Sequence, residues 1–264
     1  MHTVAFCDLD DTLFFTGRKL DEALRSGTAT LDRLGEPHSF HSRHQAHLLG
    51  TLLRGATLVP VTGRDTEAFE RVVMSFESWA ILDHGATVLR PGGQPDRVWQ
   101  LVMQEVLEDQ ADALRLAAQA AQHISDLMHL DCTVRLHTVN STGRLHEAGG
   151  QPMMVVVKHP YALQNSLDAM SVQWALWRQD AGIDLRYFAN GNNLTLIARG
   201  VSKEAAVTYV QEQLREESQD QELLTLGLGD SLADVAFMNL CDFALTPGDS
   251  QLIRAVLENE LEQR

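Results

Sequence analysis

Short apolar runs that end in acidic or hydroxyl residues recur along this chain. Thr3 to Cys7 leads into Asp8-Leu9-Asp10-Asp11-Thr12, and Ala56 to Val61 leads into Thr62-Gly63-Arg64-Asp65. Leu223 to Leu228 leads into Gly229-Asp230-Ser231, and Phe243 to Leu245 into Thr246-Pro247-Gly248. Runs this short, with no polar face, read as strands buried on both sides. Helical spacing of apolar positions separates them, from about Ser42 to Arg54, Thr66 to Trp79, Lys203 to Glu217 and Asp234 to Asn239. Strands alternating with helices predict an α/β fold, a parallel sheet with helices on both faces. Such sheets bind ligands beyond the carboxyl ends of their strands. The acidic and hydroxyl residues fall at those ends.

The middle of the chain has another rhythm. A long helical pattern from about Trp99 to Ser125 precedes two strand patterns, Cys132 to Thr138 and Met153 to Lys158. A second, Tyr161 to Ala181, precedes Asp184 to Ala189 and Leu194 to Ala198, with the hairpin signal Asn190-Gly191 between that last pair. Two successive helix–strand–strand units predict a separate α+β insert over residues 84–199, leaving 1–83 and 200–264 as a Rossmann-like core. Trp174 and Trp177, with Leu163, Leu167 and Met170, read as a helix face packed on the insert's sheet.

The chain has 264 residues, 44% hydrophobic and 22% charged, enough to bury a core. Its net charge of −15 argues against broad nucleic-acid binding and against an anionic membrane surface. It leaves room for a small phosphorylated molecule, because one lysine or one metal ion reverses the local sign. Apolar runs such as Met153 to Val157 are strand-sized, and the start of the sequence does not read as a secretory signal. Cys7, Cys132 and Cys241 are widely spaced and form no disulfide framework, so the expected location is the cytoplasm.

Four places carry candidate chemistry. Asp8 and Asp10 stand two apart after a strand, so both carboxylates can face one site. Such a pair can hold a divalent cation and divide nucleophile and acid/base roles; a solvated acidic turn is the plain alternative. A helix–loop–helix calcium loop needs glycine at its sixth position, where this chain has Leu13. Asp230 and Asp234 are four apart, on one face if a helix has begun, though Ser231 and Asp234 also suit a capping box. Thr62-Gly63 precedes a helix, a natural anion site or again a cap, with Asp65 completing the box. Lys203 sits in a helix's first turn, where a cation opposes the dipole unless an anion lies near; a solvated lysine is the alternative.

Taken in order, Asp8-x-Asp10-x-Thr12, Thr62-Gly63-Arg64, Lys203 and Gly229-Asp230-Ser231-x-x-Asp234 resemble the haloacid dehalogenase-like (HAD) hydrolase superfamily. The Thr-Gly-Arg form is similar to its Cof-type and sucrose-phosphatase-like subgroup. Ile81-Leu82-Asp83-His84-Gly85-Ala86 resembles the way into that subgroup's cap, and Leu194 to Lys203 the way out. The resemblance implies a Mg2+-dependent phosphatase acting on a small phosphorylated metabolite, by default a sugar or polyol phosphate. It implies Asp8 as the nucleophile that becomes an aspartyl-phosphate, and Asp10 as the group that protonates the leaving oxygen and later activates water. Thr62, Gly63 and Lys203 would bind phosphate. Asp8, the Asp10 backbone carbonyl and Asp230 would ligate Mg2+, with Asp234 supporting them directly or through water. Phosphoryl transfer needs mainly positioning and charge neutralisation, and Mg2+ prefers oxygen ligands.

Substrate contacts are expected from Arg64 and His84, and from Arg186, Asn190 and Asn192 on or beside the insert's last hairpin, with Tyr187 on the opposite face to Arg186. The insert would act as a lid with hinges near Gly85 and Gly200. This chain departs from the family at Asp11, where glycine is frequent, at Ala233 and His84, where asparagine is frequent, and in a long stretch between Leu20 and Ser42. That stretch holds His38, His41, His44 and His47; a zinc site there competes with a solvated helix. Cys7 should point into the core, away from its neighbour Asp8. A phosphosugar mutase is the runner-up function, since it shares nucleophile and cap type, and a non-catalytic binding module is the third reading. Nothing in the sequence addresses oligomeric state.

Overall fold

The computed structural model describes residues 1–139, 150–190, 192–218 and 222–262. The chain divides into two compact units, Met1–Asp96 with Ser202–Arg264, and Arg97–Val201.

The first unit is built on a parallel sheet with strands in the order Phe243–Leu245, Leu223–Leu228, His2–Cys7, Thr57–Pro60. The segment that returns at residue 223 pairs with the first strand, His2 opposite Leu223 and Cys7 opposite Leu228. Val4, Ala5, Phe6 and Cys7 are all fully buried, so this strand is covered on both faces, as its unbroken apolar run requires. Cys7 packs with Leu9, Leu13, Phe14 and Leu53, and burial pushes its thiol above the ordinary range, with Asp8 adding to the effect. A bridge between Val61 and Ile81 continues the sheet into an antiparallel hairpin, Ala80–Leu82 with Thr87–Leu89.

This hairpin belongs to the first unit, so residues 84–96, read from sequence as part of the insert, fall on the core side. Asp96 ties them there: its amide donates to Val88 O at 2.8 Å and its carboxylate accepts from the Tyr209 hydroxyl at 2.7 Å.

Two expectations for this unit need correction. The helix expected from Thr66 to Trp79 stops at Glu70. The β-branched pair Val72-Val73 turns instead to the segment Arg25–Leu31: Thr30 bridges Val72, and Val73 N donates to Ala29 O at 2.8 Å. The long stretch after Leu20 is a small antiparallel sheet, in the order Phe15–Thr16, Pro37–Ser42, Arg25–Leu31. His38 and His41 lie in its middle strand, and the helix begins only at Arg43, capped by a Ser42–Gln45 capping box. His41 Nδ1 meets Leu13 O at 2.9 Å, and among the described residues the four histidines form no metal-binding group. A helix, Gln251–Glu262, with no counterpart among the elements expected from sequence, follows the last strand.

The second unit has a helix of 31 residues, Arg97–Leu127, whose buried positions Trp99, Met103, Leu107, Ala111, Leu114, Ala117 and Ala121 recur every three or four residues. They cover a four-stranded antiparallel sheet in the order Arg186–Asn190, Asn193–Ile197, Gln151–Lys158, Thr133–Val139. The second helix, Gln164–Asp180, buries Leu167, Met170 and Trp174, and the Trp174 indole donates to Ala117 O at 3.1 Å. Trp174 is therefore the core residue its spacing implied; Leu163 is exposed and Trp177 only half-buried. The helix–strand–strand pattern thus holds twice. Gly191 of the expected hairpin turn lies outside the described residues, but Asn190 pairs with Asn193 across it. No described helix is long and apolar enough to cross a membrane.

Candidate active site

Asp8 follows the central strand directly, and its amide donates to Leu228 O at 2.8 Å, prolonging the ladder by one residue. Its carboxyl is buried between two donors: Lys203 Nζ reaches Oδ1 at 2.8 Å, and the Thr12 hydroxyl reaches Oδ2 at 3.1 Å. Thr12 also bonds Asp230 Oδ1 at 3.3 Å, linking the exits of two neighbouring strands. Thr12 is legible in the sequence only as a motif member; its double contact ties two of the candidate carboxylates together.

Lys203 begins the helix Lys203–Glu217, with Ser202 as N-cap accepting from Ala205 N at 3.1 Å. The anion that its placement demanded is double: Nζ also donates to Asp234 Oδ1 at 2.6 Å. Asp234 is completely buried, and its other oxygen accepts from Ser231 N at 3.0 Å and Ser231 Oγ at 2.6 Å. The helix begins only at Val235, with Asp234 at its N-cap position and no side-chain capping bond, so the Ser231–Asp234 contact belongs to the turn before it and the expected capping box does not form. Ser231, which aims Asp234, was a role the sequence reading missed.

Glycines make this closeness possible. A side chain on Gly229 would overlap Asp234, and one on Gly85 would overlap the Ser202 carbonyl. Gly85 has φ +104°, so the turn carrying His84 packs directly under the start of the Lys203 helix. Gly85 is thus a close-packing residue; at Gly200, within the second unit, a side chain would overlap Val106.

The electrostatics follow from burial. Burial pushes Asp8 up to about 7, opposed by Lys203 and reinforced by Asp234 and Asp10. Burial, with Asp234 and Asp11, pushes Asp230 up to about 6. Asp234 lies below the ordinary range, because Lys203 and Ser231 outweigh its burial. Burial favours neutral Lys203, but Asp8 and Asp234 outweigh it and hold the ammonium charged.

Asp10 is half-exposed and does not join this cluster. Arg64 grips it instead, Nε to Oδ2 and Nη2 to Oδ1, both at 2.7 Å. Arg64 was expected to contact substrate; in this structure it is spent on Asp10. Thr62 is buried beside the sheet, and its hydroxyl oxygen accepts from Arg64 N at 3.1 Å. The cap of the following helix is Asp65, which accepts from Ala68 N at 2.6 Å, so Thr62 is not the capping residue. The His84 ring fills the space where a Gly63 side chain would stand. Asp11 has φ +65°, the left-handed conformation for which glycine is the easy choice, and its carboxylate pairs with Lys19 at 2.5 Å.

Asp83 gave no sequence signal beyond its place in a motif. It is fully buried at φ +52°; Oδ2 accepts from Thr87 at 2.7 Å, while Oδ1 has no hydrogen-bond partner among the described residues. Burial pushes it up to about 8, with Thr87 opposing and Asp65 adding.

The remaining candidates belong to the second unit. Arg186 Nη1 donates to Val201 O at 3.3 Å, with its guanidinium over Phe188. Both ends of the Asn192 amide are engaged by the His159 backbone, at 3.0 and 2.7 Å, so Asn192 ties the hairpin down. The Asn190 side chain lies outside what the structure describes. A cavity of about 800 Å³ opens elsewhere in the first unit, lined by His2, Thr57 and Leu223 at the amino ends of the strands. It is at the wrong end of the sheet for the acidic residues.

Asp8, Asp230 and Asp234 each offer a carboxylate oxygen, all within 4.8 Å of one another. An all-oxygen, anionic donor set of this kind suits a hard divalent cation. Both oxygens of Asp8 and both of Asp234 already accept hydrogen bonds, so a cation would share these carboxylates with Lys203, Thr12 and Ser231.

No family model and no curated protein matches the chain. Solved structures do. A Thermoplasma acidophilum protein superposes with a TM-score of 0.53 at 15% identity, over 97% of this chain and 89% of its own. The IMP-nucleotidase of Plasmodium falciparum superposes with a TM-score of 0.54 at 12% identity, over 99% and 68%. The sucrose-phosphatase of Synechocystis gives 0.47 at 18% identity, over 90% and 80%. With an inserted α+β unit and its acidic motifs at the carboxyl ends of a parallel sheet, the chain shares the fold of the Thermoplasma acidophilum and Plasmodium falciparum structures.

Proposed function

We propose that this protein is a magnesium-dependent phosphatase that cleaves a small phosphate monoester, by default a sugar or polyol phosphate, through an aspartyl-phosphate on Asp8, in the cytoplasm. The observation that carries this reading is the Asp8 carboxylate, buried at a strand exit and fixed by Lys203 and Thr12 beside Asp230 and Asp234. A carboxylate so fixed is spared the reorganisation that attack would otherwise require.

In the first step an Asp8 oxygen bonds to phosphorus as the ester P–O bond breaks, and Asp10 gives its proton to the departing oxygen. In the second, water attacks phosphorus and gives Asp10 a proton, the acyl-phosphate bond breaks, and Asp8 is restored with release of phosphate. Lys203 shifts from its carboxylate partners to the phosphoryl oxygens. The Thr62 hydroxyl accepts from Arg64 N and so keeps its own proton to donate to the same group. Asp8, Asp230 and the Asp10 carbonyl, supported by Asp234, would hold a divalent cation, which would supply the charge neutralisation that a carboxylate needs to approach a phosphate dianion. That a protein of similar fold is an IMP-nucleotidase agrees with the reaction class and leaves the substrate open.

Phosphate release from a panel of sugar, polyol and nucleoside monophosphates tests the reading. Release that requires Mg2+, needs no bisphosphate activator and stops in excess chelator is expected. Full turnover in chelator removes the metal from the mechanism. A requirement for a bisphosphate favours a mutase, and no release from any ester rejects the phosphatase.

A further inference from the structure

We infer that Arg64 is the positioning residue for Asp10, so that its guanidinium serves the proton transfers rather than the grip on substrate. The inference rests on the phosphatase reading and adds a residue to it.

Asp10 alone would be poorly aimed. Its side chain is 42% exposed, and the carboxylate hydrogen bonds found for it come from Arg64. Arg64, by contrast, is anchored independently. Its side chain is 15% exposed, Nη1 donates to Ala68 O at 3.2 Å, and the guanidinium lies 5.3 Å from the Phe14 ring centroid. Phe14 is fully buried, and Ala68 stands in the helix that Asp65 caps. The planar fork therefore presents two parallel N–H groups in a fixed direction, and the carboxylate takes its orientation from the fork. A single ammonium in the same place would leave the carboxylate free to rotate about its donor.

The consequence is specific. When the ester P–O bond breaks, the departing oxygen takes the Asp10 proton; an alkoxide needs that proton far more than a phenoxide stabilised by a nitro group. The ratio kcat/KM reports the steps through phosphoryl transfer to Asp8, so it isolates leaving-group protonation from later hydrolysis.

The test compares glycerol phosphate with 4-nitrophenyl phosphate, with Mg2+ present, for wild type, Arg64→Ala, Arg64→Lys, Asp10→Asn and the Arg64→Ala/Asp10→Asn double variant. For Arg64→Ala, kcat/KM on the alkyl ester is expected to fall on the order of 10²-fold, and on the aryl ester by at most several-fold. Arg64→Lys should behave like Arg64→Ala. In the Asp10→Asn background the Arg64 substitution should cost nothing further. Equal losses on both esters, an Arg64→Lys enzyme equal to wild type, or additive losses in the double variant would each overturn the inference. Circular dichroism spectra and urea unfolding close to those of the wild type show that the variants fold. Wild type that releases phosphate from neither of these nor from any other ester of the panel rejects the phosphatase reading, and this inference with it.

Discussion

Lys203 Nζ lies 2.6 Å from Asp234 Oδ1, and both side chains are buried. The same ammonium reaches Asp8 at 2.8 Å. One cation thus offsets two carboxylates brought together from the exit of the first strand and the loop after Gly229. Removing one partner of a buried pair leaves charge uncompensated and costs roughly 3–5 kcal/mol. Lys203→Met should lose stability of that order in urea unfolding, and turnover with it. A loss below about 1 kcal/mol, the range of surface pairs, would show that the cluster is not the buried network described.

Binding only to the folded state raises stability by mass action. Mg2+ should therefore raise the Tm of wild type, and Asp230→Asn should lose most of that increment while keeping the fold. An equal Mg2+ increment in wild type and Asp230→Asn would place the cation elsewhere.

Asp83 supplies a pH signature apart from the metal site. Its folded-state value of about 8 stands above the unfolded value near 4. Between those limits the folded state holds a proton that the unfolded state has released, so this group lowers stability as pH rises through that window. Asp83→Asn keeps an acceptor for Thr87 and tolerates positive φ. Its stability relative to wild type should improve progressively from about pH 4 to pH 8 and then level off. A difference constant across that range would mean that Asp83 is ionised throughout.

Gly85→Ala tests the packing under Lys203. A methyl there would overlap the Ser202 carbonyl from a backbone at φ +104°. The strain should cost at least about 2 kcal/mol and weaken turnover by moving the start of the Lys203 helix. Loss of less than about 0.5 kcal/mol, the usual range for a surface change, would contradict the packing described.

The parallel core was legible because its strands are buried on both faces: a run such as Val4-Ala5-Phe6-Cys7 has no polar partner to confuse its period. The second unit was legible for a similar reason, since the long helix repeats its buried positions from Trp99 to Ala121. The strands Arg25–Leu31 and Pro37–Ser42 were not, because His38, Ser39 and His41 give no apolar alternation. Val72 and Val73 continued a helical pattern by spacing, yet a nearby strand offered their backbone a partner, and tertiary pairing overrode local periodicity. In the site, strand-end placement brought Asp8, Thr62, Asp230 and Asp234 into view. Lys203 was visible as a cation opposing a helix dipole. Side-chain direction was not visible: that the Arg64 fork closes on Asp10 and the Asn192 amide on His159 is read only from the structure.

The central claim is covalent attack by Asp8, and acid-quenched turnover followed by peptide mass spectrometry tests it most directly. Asp10→Asn, slowed in hydrolysis of the intermediate, is the protein to use, with Asp8→Asn as the control. The expected result is a phosphoryl group on the peptide that carries Asp8, chased by excess unlabelled substrate and absent from Asp8→Asn, whose turnover falls by orders of magnitude. Near wild-type turnover by Asp8→Asn, with no phosphorylated peptide in either protein, would contradict the covalent mechanism.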